Sequence, residues 1–157
     1  MARLAPRNAQ RSSLAALDRL LLGISLPVGA VRWLDREKET KGLHLGLFGA
    51  STGAAAALAA AAELEDRVEA VVSRGGRPDL AMEVLPRVRA PTLLIVGGAD
   101  TEVLALNETV FARLQGPKSL EVVPGASHLF SEPGALEQVI DDAARWFQRY
   151  LDPNRYG

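Results

Sequence analysis

The sequence predicts an α/β fold, a three-layer α/β/α arrangement around a mostly parallel sheet. Short apolar runs alternate with alanine-rich or amphipathic segments over residues 43–150, and strands that alternate with helices form parallel sheets covered on both faces. The run over residues 92–96 is almost wholly apolar, which suits a strand buried on both faces. We expect a single domain over residues 1–157, with an atypical N-terminal segment, 1–27, and a core, 28–151.

The N-terminal segment has the least regular pattern. Residues 20–26 suit a buried strand as well as a helix, because an apolar run of that length is ambiguous. Pro27 is a natural break. A helix is predicted over residues 28–38, and Trp33 is assigned to its apolar, core-facing side.

From residue 43 onward the alternation is regular. Strands are predicted over residues 43–48, 68–73, 92–96 and 120–123, and helices over residues 52–64, 78–85, 102–114 and 134–150. The alanines of the first of these helices indicate close packing against the sheet. Gly75-Gly76 indicates a turn rather than an anion-binding loop. The last helix is amphipathic, with apolar residues at helical spacing: Leu136, Val139, Ile140, Ala143, Trp146 and Phe147.

Composition excludes several classes of function. The formal net charge of −1 leaves no basic surplus to neutralise phosphates, so we expect no nucleic-acid partner. The chain has no cysteine, and its two histidines are far apart in sequence, so we expect no metal site. No apolar run reaches the ~18 residues of a membrane span. The basic, partly apolar start only weakly resembles a signal peptide, and we expect a cytoplasmic protein without a membrane partner.

The most informative motif is the G-x-S-x-G pentapeptide over residues 49–53, with Ser51 at its centre. It lies between a predicted strand and a predicted helix, which is the setting of a nucleophile elbow. A serine in such a turn has a strained backbone, and the flanking Gly49 and Gly53 suit a place where strand and helix backbones crowd together. The N–H of Thr52 is then a candidate oxyanion donor. The alternative is a chance pentapeptide.

An acid and a base follow the serine in the order of a hydrolase triad. Asp100 follows one apolar run and His128 follows another, and the carboxyl ends of parallel strands meet at one edge of a sheet. His128 can take the proton of Ser51, and Asp100 can orient the imidazole. Asp100 is alternatively a turn or helix-capping residue, with Glu102 as the rival acid.

The two histidines are weighed separately. His128 precedes an apolar pair and is alternatively a packed side chain without a catalytic role. His44 begins a predicted strand and is interpreted as structural.

Five segments together resemble the α/β-hydrolase superfamily and, within it, the dienelactone-hydrolase-like branch, over about residues 28–151. They are LGLFGASTGAAAALAAAA, VEAVVSRGGRPDLA, APTLLIVGGADTEV, LEVVPGASHLF and the final helix. The resemblance implies a minimal α/β-hydrolase fold, shortened at the N-terminus, with Ser51, Asp100 and His128 as the triad and the Thr52 N–H as oxyanion donor. Members are largely cofactor-free hydrolases of esters and lactones. The resemblance also implies earlier strands and a second oxyanion N–H, and the first 42 residues leave room for at most one strand.

These observations predict a serine hydrolase that cleaves small, short-chain carboxylic esters or lactones through an acyl-enzyme. A thioesterase or acyltransferase would use the same triad, and a non-catalytic assembly module would keep the fold with an incomplete site. With few strands before residue 43, the elbow strand would have an open apolar edge. We therefore expect a homo-oligomer formed through the N-terminal region.

Overall fold

The computed structural model describes residues 26–152. Within them four strands form one parallel sheet in the order β1-β2-β3-β4. The predicted α/β fold with a parallel sheet is confirmed. The strands are β1 (Gly46–Ala50), β2 (Ala70–Arg74), β3 (Thr92–Gly97) and β4 (Lys118–Val123). The helices are α1 (residues 26–34), α2 (Gly53–Leu64), α3 (Thr101–Arg113) and α4 (Ala135–Leu151), with 3₁₀ turns at Glu65–Arg67, Pro78–Ala81 and Leu85–Arg87.

The two central strands, β2 and β3, are buried on both faces. Successive side chains of a strand point to opposite faces of the sheet. Val71 and Leu94 pack in one core cluster with residues of α2 and α3, whereas Val72 and Ile95 pack in a second cluster with residues of α4. The sheet is therefore the middle layer of three.

Helix α2 is buried all round. Each residue over 54–62 is buried, and all are alanines except Leu58. Because alanine side chains are short, the backbone of α2 lies close to the sheet on one side and to the segments that cover the helix on the other. The close packing expected from the alanine run is present.

Helix α4 covers the other face of the sheet with a narrow apolar stripe. Trp146 and Tyr150 are buried there, with ring centroids 4.6 Å apart. Leu136 and Ile140, assigned to the apolar side from the sequence, are instead exposed. The buried stripe includes Val139, and one residue along a helix turns by 100°, which takes Ile140 off the stripe.

Element boundaries differ from the predicted ones by a few residues. Strand β1 begins at Gly46 rather than at residue 43 and continues to Ala50. Pro27 lies within the helical residues of α1 rather than before them, since the φ of proline is compatible with a helix. The helix predicted over residues 78–85 is two 3₁₀ turns, and Pro86, which has no N–H to donate, would interrupt a continuous α-helix there. The predictions for residues 1–25 lie outside the described residues.

In the described part of the chain β1 pairs with β2 and with no other strand, and the N-terminal segment that leaves room for one more strand lies almost wholly outside it. Phe48 on β1 is 51% exposed and Trp33 on α1 is 58% exposed. The assignment of Trp33 to the core was wrong, because α1 buries Val28 and Val31 and residue 33 lies about 200° around the helix from residue 31.

Self-association remains a prediction, and light scattering that found a stable monomer at micromolar concentration would contradict it.

No helix within residues 26–152 combines the length and the apolar character that a membrane crossing requires. In that range no three histidine, aspartate or glutamate side chains are grouped in a way that could hold a metal ion.

Candidate active site

Ser51 occupies the turn between β1 and α2 in a left-handed conformation, with φ at +50°. Residues other than glycine rarely adopt this conformation and keep it only where the surroundings fix it. The Ser51 N–H donates to the carbonyl of Arg74 at 3.3 Å, and its own carbonyl accepts from the N–H of Arg77 at 2.9 Å. The end of β2 and the turn after it therefore hold the strained residue in place.

The two glycines of the pentapeptide differ in what they allow. A Cβ on Gly49 would lie 2.7 Å from both the N and the Cα of Ala54 and would also contact the Gly53 carbonyl oxygen. A Cβ on Gly53 would meet nothing within 4 Å. The expectation that backbone crowding requires glycine is correct at Gly49 and wrong at Gly53, because only Gly49 faces the first turn of α2.

These distances predict opposite outcomes for two matched substitutions. Gly49→Ala is expected to lower the free energy of unfolding by about 3 kcal/mol, since backbone atoms must move to accept the methyl group. Gly53→Ala is expected to keep or raise it by up to about 1 kcal/mol, because alanine favours a helix over glycine. Denaturant unfolding of both variants measures the difference. Equal stabilities would contradict the crowding at Gly49.

The first turn of α2 offers free hydrogen-bond donors beside the serine. Within residues 26–152 neither the Thr52 N–H nor the Gly53 N–H has a hydrogen-bond acceptor. Thr52 is exposed and in right-handed helical conformation. Unpaired N–H groups and the helix dipole favour negative charge at a helix N-terminus, so the predicted Thr52 donor is free to bind an oxyanion.

Asp100 follows β3 and its carboxylate contacts the imidazole of His128. His128 Nδ1 lies 2.7 Å from Asp100 Oδ2, a distance that suits a charge-assisted hydrogen bond donated by Nδ1–H. The backbone of Asp100 occupies the N-cap position of α3, but its side chain makes no capping hydrogen bond. The Asp100 carboxylate therefore contacts His128 and does not cap α3.

Glu102, the rival acid, lies elsewhere in the site. It is exposed in the first turn of α3, and its charge acts on Arg77. A hydrogen bond from Arg77 to Asp79, together with the charges of Asp79 and Glu102, raises the pKa of the Arg77 guanidinium. The charge of Glu102 thus acts on Arg77, while the Asp100 carboxylate binds the histidine.

His128 lies in the irregular segment between β4 and α4, which we call the His loop (residues 124–134). Its side chain is 41% exposed, so the alternative of a packed core histidine is wrong. The Ser127 N–H donates to Glu132 Oε2 at 3.0 Å and holds the pKa of that carboxyl below its usual range. The Ala99 N–H donates to the Ala126 carbonyl at 3.0 Å and ties the loop to the end of β3.

Ser51 and His128 both lie against the residues at the end of β2. Arg74 accepts the Ser51 N–H, and a Cβ on the next residue, Gly75, would lie 3.6 Å from His128 Cε1. In the described part of the chain no hydrogen bond joins Ser51 Oγ to His128. Such contacts are often long before substrate binds. His44 is at the other end of β1, where its Nδ1 contacts Glu69 Oε2 at 2.7 Å.

Sequence reasoning missed the part that the Gly75-Gly76 turn has in the site. Asn107, which is fully buried in α3, donates from Nδ2 to the Gly76 carbonyl at 3.0 Å. The turn is thereby fixed to α3, while its neighbours Arg74 and Arg77 hydrogen-bond to Ser51 and a Cβ on Gly75 would lie near His128. The sequence signal that could have revealed this is the position of the turn, directly after the strand that follows the Ser51 pentapeptide.

With this geometry in view, comparison with known proteins decides the family. The sequence model of the dienelactone hydrolase family matches residues 7–152. The chain belongs to the dienelactone hydrolase family. A dienelactone hydrolase from Anabaena variabilis is 50% identical in sequence, with a TM-score of 0.83 over 94% of this chain and 70% of that one.

Two other similar proteins are less alike in sequence or in length. A Mycobacterium tuberculosis protein named "Putative phosphoribosyl transferase" is 52% identical over 142 residues, 90% of this chain. The present chain spans about a third of that relative, 32% of its length. The esterase domain of a Rhodothermus marinus protein has a TM-score of 0.66 over 78% of this chain and 67% of that domain. At 22% identity it shows a shared fold alone.

Proposed function

We propose that this dienelactone hydrolase family member is a serine hydrolase that cleaves small carboxylic esters or lactones through an acyl-enzyme on Ser51. The observation that carries the proposal is the Asp100–His128 hydrogen bond of 2.7 Å, at the same edge of the sheet as a serine with φ of +50°. Family membership and the Anabaena dienelactone hydrolase support a hydrolase. The ester class and the catalytic roles of the three residues are the proposal.

In the first half of the reaction, Ser51 Oγ attacks the ester carbonyl carbon while His128 Nε2 takes the hydroxyl proton. Asp100 accepts the Nδ1–H hydrogen bond, which fixes the tautomer that leaves Nε2 free and stabilises the imidazolium. The carbonyl oxygen becomes negative beside the free Thr52 N–H. The bond to the leaving oxygen then breaks, and Nε2 returns its proton to that oxygen.

The second half uses the same groups with water. His128 Nε2 takes a proton from the water molecule, whose oxygen attacks the acyl carbon on Ser51. The bond to Ser51 Oγ breaks and Oγ recovers a proton from Nε2, which leaves a carboxylic acid and the free enzyme. If the leaving group is a thiol instead of an alcohol, the same steps hydrolyse a thioester. If an alcohol replaces water in the second half, the same steps transfer the acyl group.

We base the proposed preference for small acyl groups on the charged residues that adjoin the Ser51 turn. Arg77, whose N–H binds the Ser51 carbonyl, forms an ion pair with Asp79 at 2.9 Å. Charged groups at this position disfavour a long alkyl chain, because the chain would displace their water.

A series of aryl esters tests the proposal and its substrate size. We expect kcat/KM to be highest for acetate or propionate esters and to fall as the acyl chain lengthens from butyrate to octanoate. Higher values for octanoate would contradict the preference for small acyl groups. No hydrolysis above background for any ester would contradict the proposed function and favour the non-catalytic module.

The phosphoribosyl transferase name of the Mycobacterium tuberculosis relative does not lead to a second proposal. The name describes the whole relative, of which this chain matches about a third. The proposed function rests on the residues of the candidate hydrolase site, Ser51, Asp100 and His128.

A further inference from the structure

Arg74, the last residue of β2, stands between the strands that lead to the nucleophile and to the acid. It is opposite Ala50 of β1 and Ile95 of β3 in the sheet. Its carbonyl accepts the Ser51 N–H at 3.3 Å. The backbone of Arg74 is therefore part of the support of the nucleophile turn.

The side chain of Arg74 reaches the other half of the site. Its Nη2 donates to the Leu129 carbonyl at 3.2 Å, and its guanidinium carbon lies 5.1 Å from the centre of the Phe130 ring. These are the two residues that follow His128. Phe130 is buried and has a φ of +57°, so the guanidinium contacts the loop at a backbone conformation that needs support.

The Phe130 ring also packs in the core cluster that includes Val72 of β2, whereas two hydrogen bonds of the His loop act on different parts of it. The Ala99–Ala126 hydrogen bond holds the residues before His128 to the end of β3. The Ser127–Glu132 hydrogen bond closes the loop on itself. The Arg74 side chain instead joins the stretch directly after His128 to β2, and thus to the strand end that holds Ser51.

The cost of placing an arginine here points to a specific use. Arg74 Nε is buried and has no hydrogen-bond partner. A buried unpaired N–H of a charged group is unfavourable for folding, and an apolar side chain would fill the same space without that cost. The favourable contacts are at the far end of the side chain, on Leu129 and Phe130.

We propose that Arg74 is a positioning residue that sets the distance between His128 Nε2 and Ser51 Oγ by holding the His loop against β2. Its side chain contacts the Leu129 carbonyl and the Phe130 ring rather than Ser51 Oγ or the His128 imidazole. This inference rests on the proposed serine hydrolase function, because it concerns the proton transfer from Ser51 to His128.

The variant that tests the inference is Arg74→Met, which replaces the guanidinium with an apolar side chain that still fills space. We expect the rate constant for fluorophosphonate labelling of Ser51 and the kcat for aryl acetate to fall together by about 10²-fold, the effect of a displacement near 1 Å, with little change in KM. The matched control is Arg113→Met at the exposed end of α3, with both constants unchanged.

The final labelled fraction separates positioning from stability. Loss of fold lowers the number of reactive serines, whereas misplacement of His128 lowers the rate constant at each serine and leaves full labelling at long times. Labelling of R74M at the wild-type rate would overturn the inference while the proposed function stands. An unlabelled wild-type protein would overturn both.

A second variant covers the case in which R74M does not fold. Arg74→Lys keeps the charge but lacks the planar guanidinium that can both donate to the Leu129 carbonyl and lie over the Phe130 ring. We expect its labelling rate to lie between those of wild type and R74M, with full labelling at long times. A folded R74K that labels as fast as wild type would overturn the inference.

Discussion

Replacing Ser51 with alanine is expected to lower kcat for aryl acetate hydrolysis by about 10⁶-fold, which for a slow enzyme means to the background rate. The reason is that Ser51 is the proposed nucleophile, held in the turn after β1 with φ of +50°, and alanine has no hydroxyl to attack the substrate. The same substitution is expected to abolish labelling by a fluorophosphonate probe. Steady-state hydrolysis and peptide mapping of the labelled protein measure the two effects.

A serine remote from the site provides the control for this substitution. Ser119 lies near the amino end of β4, where its hydroxyl donates to Glu121. Ser119→Ala is expected to hydrolyse and label as wild type does. Labelling of S51A at the wild-type rate would show that the nucleophile is elsewhere, and equal background hydrolysis by wild type and S51A would favour the non-catalytic module.

Asp100→Asn is expected to lower kcat by about 10⁴-fold with little effect on KM. The neutral amide does not stabilise the imidazolium, and it allows the tautomer in which Nε2 already carries a proton and does not accept that of Ser51. The fold should be retained, because the Asp100 side chain makes no capping hydrogen bond to α3. Kinetics on aryl acetates and a thermal unfolding curve measure both quantities.

The rival acid supplies the matched comparison. Glu102 is two residues away and exposed, and Glu102→Gln removes the same charge from the same edge of the sheet. We expect E102Q to keep wild-type kcat. A large loss in E102Q with none in D100N would reverse the assignment of the acid.

The position of the site followed from the sequence through one topological rule. Ser51, Asp100 and His128 each follow an apolar run within five residues, and the carboxyl ends of parallel strands share an edge. The rule does not depend on exact strand limits, which is why it held although β1 begins three residues later than predicted. Their catalytic roles remain a proposal.

The sequence pattern did not provide the contacts that depend on loop conformation. That Arg74 reaches Leu129 and Phe130 depends on a left-handed residue in the His loop and on the rotamer of a long side chain, neither of which has a periodic signal. Trp33 was assigned to the core because apolar residues recur near it. Residues two positions apart in a helix, such as 31 and 33, point in nearly opposite directions.

The burial of α2 has a consequence for how the site can adjust when substrate binds. Ser51 precedes a helix with nine consecutive interior residues, and such a helix has no free side toward which it could shift without disturbing the packing around it. His128 lies in a loop without regular secondary structure, near the molecular surface. The approach that completes the Ser51–His128 hydrogen bond is therefore expected to come from the imidazole side, with the hydroxyl as the fixed reference point.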